Sequence, residues 1–189
     1  MAMPTDAKIW LRRNAAAQAR ALLGKTLVRR HPDGRVEARL ITEVEAYDGE
    51  ADLACHAAKG RTARTEVLYR PGGTWYVYLC YGIHEMLNLV TGPEGWPSAV
   101  LIRGVEGIEG PGRVTKALEI DRRMNGAPAL PESGLWLEDR GPPIPRSRIQ
   151  ATPRVGIDYA GEVWAGKLWR FILRPAAGTR PRSRSRSRA

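Results

Sequence analysis

Cysteine and histidine are scarce in this chain of 189 residues, which holds two cysteines, Cys55 and Cys80, and three histidines. Two cysteines cannot build a disulfide framework, and neither CxxC nor HExxH spacing occurs, which sets aside metal, haem and iron–sulfur chemistry. Long apolar runs are missing too, and no segment reaches the length that crosses a bilayer. The opening residues, MAMPTDAKIW, lack a positively charged start followed by an apolar stretch, so the expectation is a protein neither secreted nor membrane-spanning. Acid is in shorter supply than base, with 20 Asp and Glu against 30 Lys and Arg and a net charge of +10. Five of the arginines (Arg180, Arg182, Arg184, Arg186, Arg188) crowd the C-terminus, where there is no acid, and without them the rest still carries +5. A body that is basic in its own right favours a polyanionic partner. With 43% hydrophobic residues the chain can bury a core, and its length fits one domain.

What is present reads as mostly β with one or two helices. Residues 6–23, rich in Ala, Leu, Gln and Arg and stopped by Gly24, predict one amphipathic helix. After TLVRR and the turn HPDG, the run RVEARLITEVEAY has a period of two. Val36, Ala38, Leu40, Thr42, Val44 and Ala46 alternate with Glu37, Arg39, Ile41, Glu43, Glu45 and Tyr47. Further strands are predicted over 74–81, 86–91 and 98–106, and shorter ones over 135–139, 154–159 and 168–173. Pro111 opens a second helix, with Val114, Ala117 and Leu118 on one stripe. No internal repeat is visible. Alternating Ser-Arg cannot bury apolar area, so 175–189 reads as a disordered basic tail after a domain spanning 1–174.

Four features bear on chemistry. Taken alone, the acid row of the long strand reads as a solvated face with Glu43, Glu45 and Arg39 exposed, because exposed acids are common. Tyr76, Tyr78 and Tyr81 offer flat rings on which a base could stack, or they fill a β-rich core; alternation sends Tyr76 and Tyr78 to one face and Tyr81 to the other. His56 by itself reads as a structural hydrogen-bonding residue. Asn88 and Arg103 each interrupt an apolar strand, where an unpaired polar group is costly, so each needs a partner or lines a cavity.

Together, ITEVEAYDGEADLACH at 41–56, PGGTWYVYLCYGIHEMLN at 71–88, VLIRGVE at 100–106, GPGRVTKAL at 110–118 and PRVGIDYAGE at 153–162 resemble, in order and spacing, the alkyladenine (3-methyladenine) DNA glycosylases of the alkylpurine-DNA-glycosylase type. The resemblance runs from about Gln18 to Leu173. It implies an α+β fold, a single compact domain with a curved antiparallel sheet and flanking helices. It implies a monomer without cofactor or metal that flips alkylated or deaminated purines out of duplex DNA and hydrolyses the N-glycosidic bond. Carried over by position, it makes Glu45 the general base that activates a water and gives Arg103 the task of holding that water and the carboxylate. Tyr47, His56 and Tyr78 sandwich the flipped base, Asn88 sits at the pocket floor and disfavours the amino group of guanine, and Tyr81 wedges into the minor groove. The implied partner is damaged duplex DNA, and the implied location is the bacterial cytoplasm.

The chain departs from that family in two places. It is compact between Glu109 and Gly112, where relatives often carry a longer segment, although Arg113 keeps a cation where Lys is usual. The Ser-Arg tail has no counterpart. Two other classes are weighed against the glycosylase: a non-enzymatic basic nucleic-acid binder whose tyrosines stack on bases, and a translation-related or RNA-modifying enzyme with a base-flipping pocket. A pure binder has no need of a carboxylate at Glu45, which would repel phosphate.

Overall fold

The computed structural model describes residues 3–175, so the expected tail falls, but for its first residue, outside the described residues. Among the described residues ten strands follow one another as β1 (Met3–Pro4), β2 (Thr26–Arg30), β3 (Val36–Asp48), β4 (Trp75–Cys80), β5 (His84–Val90), β6 (Ser98–Val105), β7 (Ile108–Glu109), β8 (Leu135–Asp139), β9 (Ile149–Thr152) and β10 (Arg170–Leu173). Three helices, α1 (Ala15–Leu22), α2 (Pro111–Ala117) and α3 (Gly161–Ala165), flank them. The sheet is antiparallel and open, in the order β1-β8-β2-β3-β6-β5-β4, with β10 added against β3. This is the expected α+β architecture.

One face of the sheet meets α1 and α2. Ala15, Ala19 and Leu22 of α1 and Val114 of α2 pack with Ile41, Val44, Trp75, Leu87, Ile102 and Phe171. Burying each of the larger side chains contributes about 1.5–3 kcal/mol. The opposite face is roofed by two irregular segments, residues 49–70 and 153–165. Cys55, Ala57, Leu68 and Tyr69 of the first pack on Tyr76, Val90 and Ala99, and Ile157 and Ala160 of the second pack with Ala54. A cavity opens between that roof and the sheet.

Three sequence expectations are corrected. The helix over 6–23 breaks into a 3-10 turn (Ala7–Leu11) and α1, because Asn14 takes a left-handed conformation and its side chain caps the Ala17 amide at 2.9 Å. The 154–159 segment is not a strand: Pro153 ends β9, and the chain turns through Arg154 and Val155 into a 3-10 turn at Asp158–Ala160. The long strand also does not keep one alternation. Its register against β6 shifts twice, between Ile41 and Val44, so that Thr42 is extra on β3 and Arg103 is extra on β6. Ile41 and Val44, three apart, both enter the core, as do Ile102 and Val105. Val36, in phase with Val44 by simple counting, is instead 53% exposed.

Candidate active site

Cross-strand register builds the floor of the cavity. Tyr76 on β4 pairs with Asn88 on β5, Asn88 with Leu101 on β6, Leu101 with Glu45 on β3, and Glu45 with Arg170 on β10. Directly opposed residues of antiparallel strands share a face, so this row projects together, away from the helices. The cavity has a volume of about 530 Å³. All seven residues to which the resemblance assigns a role, Glu45, Tyr47, His56, Tyr78, Tyr81, Asn88 and Arg103, line it, as does Tyr76.

Glu45 is wholly buried, contrary to the solvated reading of its strand face. Its Oε1 accepts from the Val155 amide at 2.8 Å and its Oε2 from the Tyr47 hydroxyl at 2.9 Å, with Arg103 Nη1 at 3.4 Å. Burial raises its pKa above the ordinary carboxylate value, and Arg103, the Val155 amide and the Tyr47 hydroxyl oppose the rise. Arg103 also donates through Nε to Glu43 at 2.8 Å, and Arg170 reaches the same oxygen at 2.7 Å. Glu43 is therefore a clamp between two arginines and not a surface acid. Burial depresses the Arg103 guanidinium, but Glu45 and Glu43 outweigh it and the net shift is upward, so Arg103 is a fixed cation. The register shift at Thr42 and Arg103 is what sets these groups side by side.

Aromatic rings form the walls. The His56 ring lies 4.6 Å from Tyr78, edge to face, and its Nδ1 is 3.0 Å from the Tyr76 hydroxyl. Burial, then Arg64 and Lys59, lower the His56 pKa to about 4, so the imidazole is neutral at neutral pH. Tyr47 is pushed well above the ordinary phenol value by burial and by Glu45, and it stays a hydrogen-bond donor. Asn88 donates from Nδ2 to the carbonyls of Tyr76 (3.2 Å) and Met86 (3.3 Å). Only an NH₂ can serve two carbonyls, which fixes the amide's orientation and prevents it from swinging aside. Tyr81 sits on the β4–β5 turn with φ 51° and is 90% exposed, at the cavity mouth. Cys55 is no nucleophile, because burial pushes its thiol up to about 12.

Sequence reasoning missed three contributors. Tyr159, 72% exposed, stands at the mouth with Tyr81. Arg64 also lines the cavity, its guanidinium 5.3 Å from the Tyr78 ring centroid. The Val155 amide supplies a donor to Glu45. The PRVGIDY motif was the available signal for Val155 and Tyr159, hidden by its reading as a strand.

The site is thus a buried carboxylate, held by three donors, at the floor of an aromatic slot in a basic chain. The profile of the methylpurine-DNA glycosylases matches residues 9–110 and 106–177. The chain belongs to that family. It is a DNA glycosylase, a hydrolase of the N-glycosyl bond that acts in repair of alkylated DNA. Relatives named "Putative 3-methyladenine DNA glycosylase" include one from Methanocella arvoryzae, 45% identical over 189 residues covering 89% of this chain and 92% of the relative. Another from Anaeromyxobacter dehalogenans is 47% identical over 173 residues, covering 87% and 81%. A third from Psychrobacter cryohalolentis is 43% identical over 183 residues, covering 81% and 84%. The two matched segments of the family profile overlap at 106–110. No helix among the described residues is long and apolar enough to cross a membrane.

Proposed function

We propose that this glycosylase is monofunctional and acts as a monomer on DNA in the bacterial cytoplasm. It flips 3-methyladenine, 7-methylguanine, hypoxanthine and ethenoadenine out of the duplex and releases them with a water activated by Glu45. The observation that carries this reading is the buried Glu45 carboxylate, held by the Val155 amide, the Tyr47 hydroxyl and Arg103 at the floor of a slot walled by Tyr47, His56 and Tyr78.

Flipping costs a few kcal/mol, least at a damaged base. Tyr81, projecting from the hairpin turn, fills the vacated space and offsets part of that cost. Bond cleavage passes through an oxocarbenium-like state, which a nearby carboxylate stabilises as positive charge develops on the sugar. Glu45 takes a proton from water, the oxygen bonds to the anomeric carbon, and the C–N bond electrons leave with the base. Its raised basicity suits a proton acceptor, while the three donors keep an ionised fraction. Arg103 has donors beyond those spent on Glu43 and Glu45 with which to hold the water. Purines alkylated at N3 or N7 carry positive charge and leave readily, and a neutral His56 accepts such a cation where an imidazolium would repel it. Hypoxanthine, being neutral, departs with the help of protonation or hydrogen bonding. Asn88, pinned by two carbonyls, disfavours the extra amino group of guanine, so 7-methylguanine is released less readily than the adenine lesions. A water nucleophile leaves an abasic site and an intact strand.

The test is incubation with duplexes containing hypoxanthine or an alkylated purine, each treated with hot alkali or left untreated. The expected outcome is breakage at the lesion only after alkali. Breakage without alkali contradicts the water mechanism, and no breakage in any duplex contradicts the proposed substrates.

A further inference from the structure

The loop that carries Val155 and Tyr159 is anchored by a buried ion pair that the steps above do not use. The side chains of Arg154 and Asp52 are both fully buried, and they meet bidentately, Nη1 to Oδ2 at 2.6 Å and Nη2 to Oδ1 at 2.9 Å. Nη1 also donates to the Ala46 carbonyl at 2.9 Å, between Glu45 and Tyr47 in the chain, and Nη2 to the Trp164 carbonyl at 3.2 Å. Asp52 in turn accepts from the amides of Asp48 (3.2 Å) and Ala54 (3.1 Å). One guanidinium thus ties the end of β3, the loop after it and α3 together. Removing one partner of such a pair leaves a buried charge unmatched, which is strongly unfavourable, whereas removing both is tolerated far better.

Two consequences reach the site. Arg154 immediately precedes Val155, whose amide donates to Glu45. Its guanidinium also lies 4.8 Å from the Tyr47 ring centroid, and it is absent from the cavity lining that Tyr47 helps to form. The cation therefore stands behind the ring, and the cavity lies in front of it. A base stacked on the cavity side is roughly 8 Å from the guanidinium, near enough for an unmatched charge at an effective dielectric of about 20 to oppose a cationic purine about tenfold or more.

We propose that Arg154 and Asp52 are a positioning pair for base excision. Arg154 fixes the Val155 amide on Glu45 and the Tyr47 ring at the cavity wall, and Asp52 cancels the cation behind that ring so that a positively charged purine can stack in front of it. The inference rests on the reading of the cavity as the base site. The charged and titratable groups around Glu45 are Tyr47 and Glu43 from β3, Arg103 from β6 and Arg170 from β10, with Tyr76, Tyr78 and Cys80 of β4, Tyr81, Cys55, His56, Arg64 and Tyr159 lining the rest of the cavity. Of the contacts to Glu45, the Val155 amide is the one that Arg154 holds through the chain.

Single-turnover release of 7-methylguanine, a cationic base, and of hypoxanthine, a neutral one, is measured from about pH 5 to 9 for the parent, Asp52→Asn and Asp52→Asn/Arg154→Met. Thermal melting run alongside keeps each variant in its folded range. Asp52→Asn is expected to lose about tenfold or more on 7-methylguanine relative to hypoxanthine. The double variant removes both charges, so the ratio returns to the parent's, while the acid limb of its rate profile moves to higher pH because the Val155 amide is no longer held. Equal losses on both bases in Asp52→Asn, or an acid limb in the double variant that coincides with the parent's, overturns the proposal. Should Asp52→Asn fail to fold, the double variant, which buries no unmatched charge, decides through its acid limb. A parent that releases neither base overturns the reading of the cavity instead.

Discussion

Replacing Tyr47 by Phe removes one oxygen and leaves the ring. That oxygen donates to Glu45 Oε2 at 2.9 Å, and the phenol keeps its proton because burial and Glu45 hold its pKa well above the ordinary value. A hydrogen bond to a charged group is worth about 1.5–3 kcal/mol, and about 1.36 kcal/mol corresponds to one pKa unit. The hydroxyl is one of the influences that pull Glu45 down against the upward effect of burial. Without it the Glu45 pKa rises by about one to two units, and fewer carboxylates are ionised at a given pH. The acid limb of single-turnover excision should therefore move to higher pH by that amount, while the rate above the limb stays close to the parent's because stacking is unchanged. The assay is base release from a hypoxanthine duplex at saturating enzyme across the pH range. A profile superimposable on the parent's refutes the reasoning, and so does a plateau that collapses with the limb unmoved.

Three further outcomes are expected. The His56 ring protons, followed by NMR, should hold one chemical shift through the neutral range and titrate near pH 4, because burial and the cations Arg64 and Lys59 keep the ring neutral; titration near neutrality contradicts this. Asn88→Gly should raise release of undamaged guanine and 7-methylguanine relative to adenine lesions by about tenfold, the scale of a few lost contacts in a pocket, and unchanged ratios would make Asn88 structural. Tyr81→Ala should weaken binding to lesion duplexes and slow flipping, read by gel shift and single-turnover rate, with the order of lesion preference kept; the side chain is 90% exposed, so melting should not change.

The sequence revealed the strands and the site through different signals. Period-two runs and aromatic content marked β3 to β6 to within about two residues, and alternation alone put Tyr76 and Tyr78 on one face, where they sit with ring centroids 5.3 Å apart. Periodicity misjudged Glu45. It saw an acid on a polar face, and that face is polar because it lines a roofed cavity; the roof comes from residues 49–70 and 153–165, distant in sequence. The register shift at Thr42 and Arg103 was invisible for a related reason. A bulge adds one residue whose only mark in the chain is a phase slip between Ile41 and Val44, and both phases carry apolar residues. Arg154 was lost inside a segment read as a strand: RVGIDY alternates well enough, but Pro153 and the buried Asp52 decide its path. Motif resemblance gathered the seven residues that line the cavity because it encodes those long-range contacts, which local pattern does not.

In the proposed mechanism, excision turns on the charge of one carboxylate. Glu45→Gln keeps the shape and an oxygen to accept from the Val155 amide, and it removes a buried negative charge. Burial raises the folded-state pKa of Glu45 above its unfolded value, so ionising it costs stability as pH rises through that value, and Glu45→Gln should melt no lower than the parent at neutral pH. Lesion duplex should bind as tightly as to the parent, or more tightly, because a carboxylate near phosphate has gone. Single-turnover excision of hypoxanthine by this folded, binding-competent variant is the deciding measurement. The expected result is a fall of about a hundredfold or more, the scale of a lost general base. Excision within a few-fold of the parent would contradict it and remove Glu45 from the chemistry.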